Sequence, residues 1–147
     1  MPYEINTMKT NTSHKNKTLA TFLGLLFGGA GLHRFYLRGM RDSWGWLHAA
    51  SLLLSLLLWA GAPERALLIN TAPLVLSVLA SCIETFIIGL MPDEKWDALY
   101  NAESGIETDT GWPVPLMIVA NLFFGATLLL IAIARAFDLM LTGGAYG

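Results

Sequence analysis

Charge is scarce in this sequence. Asp, Glu, Lys and Arg make up 14% of its 147 residues, where a soluble domain carries about 25%. The charge that exists is clustered, leaving long stretches with none. Basic runs are missing, and with a net charge of −2 nothing points to nucleic acid. Cysteine is nearly absent: Cys82 stands alone inside an apolar run, so no intrachain disulfide forms. His14, His33 and His48 lie far apart, and none has a second ligand at metal-binding spacing. Neither a nucleophile–base pair nor a carboxylate cluster is visible. The glycines of Gly28-Gly29-Ala30-Gly31 follow an apolar helix rather than a strand, the wrong setting for a phosphate loop. No enzymatic activity, metal or cofactor is therefore expected.

What is abundant is apolar surface. The chain is 54% hydrophobic, with a mean hydropathy of +0.53. The expected fold class is an all-α integral membrane protein, with about four transmembrane helices in a small bundle. Residues 1–17 read as a mobile polar tail with Lys9, Lys15 and Lys17, because nothing apolar is available to pin them. A glycine-rich apolar helix is expected over 18–37, its run Leu19–Leu32 ending at His33-Arg34. A secretory signal peptide has a similar make-up, but the motif described below runs straight through the would-be cleavage site.

A second helix is expected over 43–60. Its run Trp44–Ala60 is near the lower limit of about 17 residues for a span, and Trp44, Trp46 and Trp59 mark its ends. A third, over 66–91, contains one acid, Glu84, and Pro73, which should kink it or mark its first turn. Asp93 is expected to cap an interfacial helix over 93–102, with Trp96, Leu99 and Tyr100 sharing a face along the membrane surface. Residues 103–112 form an acidic loop. The C-terminal transmembrane helix covers 113–142, and Val114–Ala134 within it carries no charge. With four spans and a cytoplasmic N-terminus, Lys9, Lys15, Lys17, Arg65 and Arg135 lie inside. Arg34, Arg38, Arg41 and Lys95 lie outside, so the positive-inside rule barely separates the two orientations.

Several segments carry a family resemblance. Lys15-Asn16-Lys17-Thr18, Phe22-Leu23-Gly24 and Gly28-Gly29-Ala30-Gly31-Leu32-His33-Arg34-Phe35-Tyr36-Leu37 resemble the opening of the TM-two (two-transmembrane-helix) domain family. Gly39 and Gly45-Trp46-Leu47 are similar to the start of that family's second helix. Ile83-Glu84-Thr85-Phe86 and Tyr100-Asn101 are similar to its closing segment. The resemblance covers roughly residues 15–101, and its most specific part is the turn Gly28, Gly29, Gly31, His33, Arg34, Phe35 and Tyr36. His33 stands where the family often has Asp, and Glu84 stands where Asp is usual. The stretch between Gly45 and Glu84 is longer than usual, and residues 113–142 have no counterpart. The resemblance implies a membrane hairpin of unassigned biochemical role, often an accessory to other modules.

Physical reading of the same residues adds two features. Ala20, Gly24 and Gly28 recur every four residues and form a small-residue helix face, for packing within the chain or for self-association. Ser77 and Ser81 form a similar face on the third helix. Arg34 needs a partner at membrane depth, and Glu84 and Asn121 are expected about equally deep. An intramembrane polar cluster of Arg34, Glu84 and Asn121, joined by His33, is therefore expected. It serves either to tie helices together or as a proton- or ion-sensitive site. His48 is expected to face Ser51 or Ser55 and to make an ordinary interhelical hydrogen bond. The expected partners are the lipid bilayer and another membrane protein or a second copy of the chain, without nucleic acid. The expected location is a bacterial cytoplasmic (inner) membrane, with the chain crossing several times. The functional expectation is a structural or accessory membrane protein, the alternative being a small oligomeric channel or transporter built around Glu84.

Overall fold

The computed structural model describes residues 13–145, so residues 1–12 of the tail expected over 1–17 lie outside the described region. Every regular element among the described residues is helical: α1 Lys17–Phe27, α2 Leu32–Arg38, α3 Ser43–Gly61, α4 Leu67–Leu90, α5 Asp93–Tyr100 and α6 Pro113–Thr142. Three of these, α3, α4 and α6, are long and apolar enough to cross a membrane.

The helix expected over 18–37 is instead two short ones. Asn16 opens α1 by accepting the Leu19 N–H on its side chain. The helix tightens into a 3-10 turn at Gly28–Ala30 and stops at Gly31, whose φ of 79° is left-handed. An ordinary side chain is strained there, and α2 then starts in a new direction. The pair forms a hairpin. Gly24, Gly28 and Gly29 of the inbound arm meet Thr85, Ser81 and Val78 of α4 in turn, so α1 descends antiparallel to α4. The outbound arm brings His33 and Arg34 back to Glu84. Its end is tied to its beginning, because Tyr36 Oη accepts the Asn16 N–H and Lys15 Nζ donates to the Tyr36 carbonyl. Val78 lies 13 residues before Met91, so the turn sits about 20 Å below the end of α4 at 1.5 Å per residue. Backbone polar groups that leave a helix inside the bundle need partners from the protein. Here Ser77 Oγ donates to the Gly29 carbonyl, and Gly31 lies against the Gly45 carbonyl.

Helix α4 is the axis of the bundle, and α1, α3 and α6 all pack on it. Asp42 caps α3 by accepting the Gly45 N–H. Pro73 lies inside α4 rather than at its first turn. There the Leu74 N–H finds an acceptor on α3, Ser55 Oγ at 3.0 Å. Asn70 closes the α3–α4 connection by donating to the Ala62 carbonyl.

The interior is inverted relative to a soluble protein. Thr21, His33, His48, Ser55, Asn70, Ser77, Ser81, Thr85 and Asn121 are buried, while Leu53, Leu56, Leu57, Leu76, Ile83, Leu122, Phe123 and Leu130 are exposed. Small and polar residues let helix backbones approach closely, and no hydrophobic force drives association where the surroundings are themselves apolar. Thr21, Ser81 and Thr85 satisfy their hydroxyls on their own helices, at the carbonyls of Lys17, Val78 and Ser81. That leaves the α1–α4 seam free of unpaired hydroxyls.

Candidate functional site

The centre of the molecule is a charged cluster where α2, α3 and α4 meet. Arg34 bridges two acids. Its Nη1 donates to Glu84 Oε1 and its Nε donates to Asp42 Oδ2, each at 2.5 Å. The hydrogen bonds from Arg34 hold the Asp42 carboxyl below the usual carboxylate range, outweighing its burial. On the other oxygen of Glu84, His33 Nε2 lies 2.6 Å away and His48 Nε2 lies 3.4 Å away. His48 Nδ1 is 2.6 Å from Ser77 Oγ. Ser77 spends its only proton on the Gly29 carbonyl, so it accepts from His48 Nδ1–H. The hairpin turn, α3 and α4 are thereby joined by one chain of hydrogen bonds.

The sequence expectation is met in part. Arg34, Glu84 and His33 come together. Asn121 does not join them: it donates from Nδ2 to the Cys82 carbonyl, on another face of α4. Cys82 and Glu84 are two residues apart, roughly 200° around a helix of 3.6 residues per turn, so equal depth does not bring Asn121 to Glu84. Asp42 and Ser77 take the vacant places. Asp42 was legible as a cap, an acid immediately before an apolar run, but its proximity to Arg34 depends on the chain folding back at Gly39. His48 bonds Ser77 on α4 rather than Ser51 or Ser55; Ser51 instead donates to the His48 carbonyl. The face of Ala20, Gly24 and Gly28 packs inside this chain, Ala20 in a cluster with Leu37, Ile88 and Trp96 and the two glycines against Thr85 and Ser81.

Two cavities flank Glu84. One, of ≈ 400 Å³, runs between α3 and α4 from Trp44 past His48, Ser77 and Glu84 to Leu54 and Pro73. The other, of ≈ 180 Å³, lies on the opposite side among His33, Arg34, Arg38, Glu84 and Tyr100. Within the described residues no group of three or more His, Cys, Asp or Glu side chains is placed to hold a metal ion.

A second polar assembly sits at the end of α4, where the tail and the interfacial helix were expected to be separate. Lys17 is buried and donates to the Met91 carbonyl and to Asp93 at 2.8 Å. Asn101 binds both the N–H and the carbonyl of Lys15, and Trp96 donates to the same carbonyl. Residues 13–17 are therefore a tether, not a free tail. Trp96 is fully buried beneath that tether while Leu99 is exposed, so the two do not share a surface face. Pro92, not Asp93, occupies the cap position of α5. Asp93 instead receives both the N–H and the hydroxyl of Thr110, and Asp97 does the same for Thr108. Hydrogen bonds from Lys17 and Thr110 hold the Asp93 carboxyl below the usual range, overcoming the larger opposing effect of burial. Those from Thr108 and Asn101 do the same for Asp97.

No family model, curated protein or solved structure matches this chain.

Proposed function

We propose that this chain is an integral protein of a bacterial cytoplasmic membrane, with three spans and one re-entrant hairpin. In this reading it works as a non-enzymatic accessory subunit of another membrane component. The observation that carries the topology is the return of α2 to the end of α4 from which α1 departs. With that return, Lys15, Lys17, Arg38, Arg41 and Lys95 share one face of the bilayer, and only Arg65 and Arg135 remain for the other. The near-balance expected from four spans becomes a strong bias, and the face bearing the tether, α5 and the acidic loop is cytoplasmic.

The accessory role is supported by how the charges are used. Arg34 and His33 of the hairpin are bound to Asp42 and Glu84, as in a lock that holds the hairpin in place. On the cytoplasmic face, Glu94, Glu107 and Asp109 are exposed, a surface suited to a basic segment of a partner. Membership of the TM-two family belongs to the same proposal. Its support is that the turn residues Gly28 to Tyr36 and Glu84 are neighbours in the fold.

Single cysteines placed in a Cys82→Ala background test the topology. With a membrane-impermeant maleimide, Ser13→Cys, Arg41→Cys and Glu107→Cys should label only from the cytoplasmic side, and Glu64→Cys only from outside. Labelling of Ser13→Cys and Arg41→Cys from opposite sides would remove the hairpin. A second reading, a small oligomeric channel or transporter, is favoured by the position of Glu84 between two cavities. It requires solute flux in liposomes that Glu84→Gln abolishes.

A further inference from the structure

The groove between α3 and α4 has walls of one kind and a floor of another. Leu47, Leu54, Leu76 and Ala80 line it with hydrocarbon, while His48, Ser77 and Glu84 meet at one end. Its ≈ 400 Å³ falls within the roughly 300–1,000 Å³ that small-molecule sites occupy. Leu47, Leu54, Leu76 and Ala80 are themselves exposed at its rim, so on the bilayer reading above the groove opens sideways into lipid.

The polar end is short of hydrogen-bond donors. His48 Nδ1–H is committed to Ser77, so in the neutral ring Nε2 is an acceptor. It faces Glu84 Oε2, a second acceptor, at 3.4 Å. His33 fills one lone pair of that oxygen from Nε2, and its own Nδ1 is buried without a partner. The charges point the same way. With neutral histidines, Arg34 balances one of the two acids, Asp42 and Glu84, and one negative charge is left over. The remaining charged neighbour on these elements, Arg38, is exposed, acts on Asp42 from the second cavity and does not line the groove. An excess charge on the half-buried Glu84 is costly in apolar surroundings until a counter-charge arrives.

We propose that this groove binds a single-chain cationic amphiphile of the alkylamine class. Its ammonium sits between His48 Nε2 and Glu84, and its chain runs along α4 towards Pro73. Three N–H donors on one cation meet both acceptors and cancel the excess charge together. Glu84 and Pro73 are 11 residues apart, so the chain has about 16 Å of groove at 1.5 Å per residue. An alcohol of the same length offers one donor and no charge, and a carboxylate brings a second anion.

The test uses the full-length protein in phosphatidylcholine nanodiscs, with histidines labelled by nitrogen-15. Dodecylamine, dodecanol and dodecanoate are titrated in, and the His48 side-chain resonances are followed by NMR. Dodecylamine should shift them saturably, with an affinity at least about tenfold above that of dodecanol, the scale of one charge-assisted hydrogen bond. Dodecanoate should leave them unmoved. Ala80→Leu fills the groove one helical turn from Glu84 without removing any hydrogen-bonding group of the cluster, and it should abolish the response while thermal stability is kept. Glu84→Gln should reduce amine binding to the level of the alcohol. Equal responses to amine and alcohol, or an undiminished response in Ala80→Leu, would overturn the proposal. The cysteine-labelling pattern reports on membrane topology independently, so a failed titration with correct labelling condemns the amine site alone.

Discussion

Replacing Gly31 by alanine isolates what the hairpin turn requires. The residue has a φ of 79°, and a Cβ there would lie 2.6 Å from the Gly45 carbonyl oxygen and 3.0 Å from His48 Cβ. The left-handed backbone costs roughly 1–2 kcal/mol for a residue with a Cβ, and forcing that atom into packed contact roughly another 1–3, so about 2–5 kcal/mol in all. Other glycines separate the two contributions. Gly143 shares the left-handed conformation of Gly31, with a φ of 68° and a ψ of 19°, and has nothing within 4 Å, so Gly143→Ala should show the backbone cost alone. Gly29 has no positive φ, but its Cβ would meet Val78 Cγ2 at 2.6 Å, so Gly29→Ala should show the packing cost alone. Gly61 has neither constraint, and Gly61→Ala should be neutral or gain up to about 1 kcal/mol from helix propensity. Reversible unfolding in mixed micelles with rising SDS, followed by circular dichroism, reads all four. Gly31→Ala unfolding together with Gly143→Ala would mean that the turn does not rest on α3.

Arg34→Ala leaves Glu84 and Asp42 without their shared cation and should cost about 3–5 kcal/mol in the same assay; an unchanged transition would show that the cluster is not paired as described. Ser55→Ala removes the acceptor of the Leu74 N–H beside Pro73 and should cost about 1–3 kcal/mol, with hydrogen exchange at Leu74 rising while that at Ile88 holds; protection unchanged at Leu74 would refute the bond. Trp96→Ala should lower stability by about 3–5 kcal/mol and expose residues 13–17 to protease; an intact tether would count against the packing. Asp93 and Asp97 both have lowered carboxyl pKa values, so their contribution is fully present above the ordinary Asp range near about pH 4 and is lost as pH falls below it. The Thr108 and Thr110 amide resonances should therefore stay constant above that range and move below it, and constancy throughout would refute the contacts.

The long helices were legible because apolar runs in this chain end at visible breakers. Gly61-Ala62-Pro63 and Pro92 place the ends of α3 and α4 within a residue or two of the expected limits. The hairpin was not legible, because glycines inside an apolar run are common in ordinary membrane helices. Only the positive φ at Gly31 distinguishes a turn from a span. The cluster was half legible. Arithmetic along a helix axis places Glu84 and Asn121 at one depth, but partnership also depends on direction around the axis, which depth does not specify. Lys17 escaped for a different reason. Its partners, Met91 and Asp93, lie 74 and 76 residues further on, and no local pattern marks so distant a contact.

That distance has a consequence for how the protein is made. The hairpin leaves the ribosome before α4, so its docking surface there and the anchor for Lys17 are synthesised only after it. An 11-residue α1 is too short to cross the bilayer alone, where a span needs about 20 residues. Its glycines have no seam to enter until Val78, Ser81 and Thr85 have arrived. On the proposed bilayer topology, insertion begins with α3 and α4, while the amino-terminal arms wait at the surface. The earlier segment is the later to take its place, and nascent chains ending before α4 should hold α1 in a protease-sensitive state.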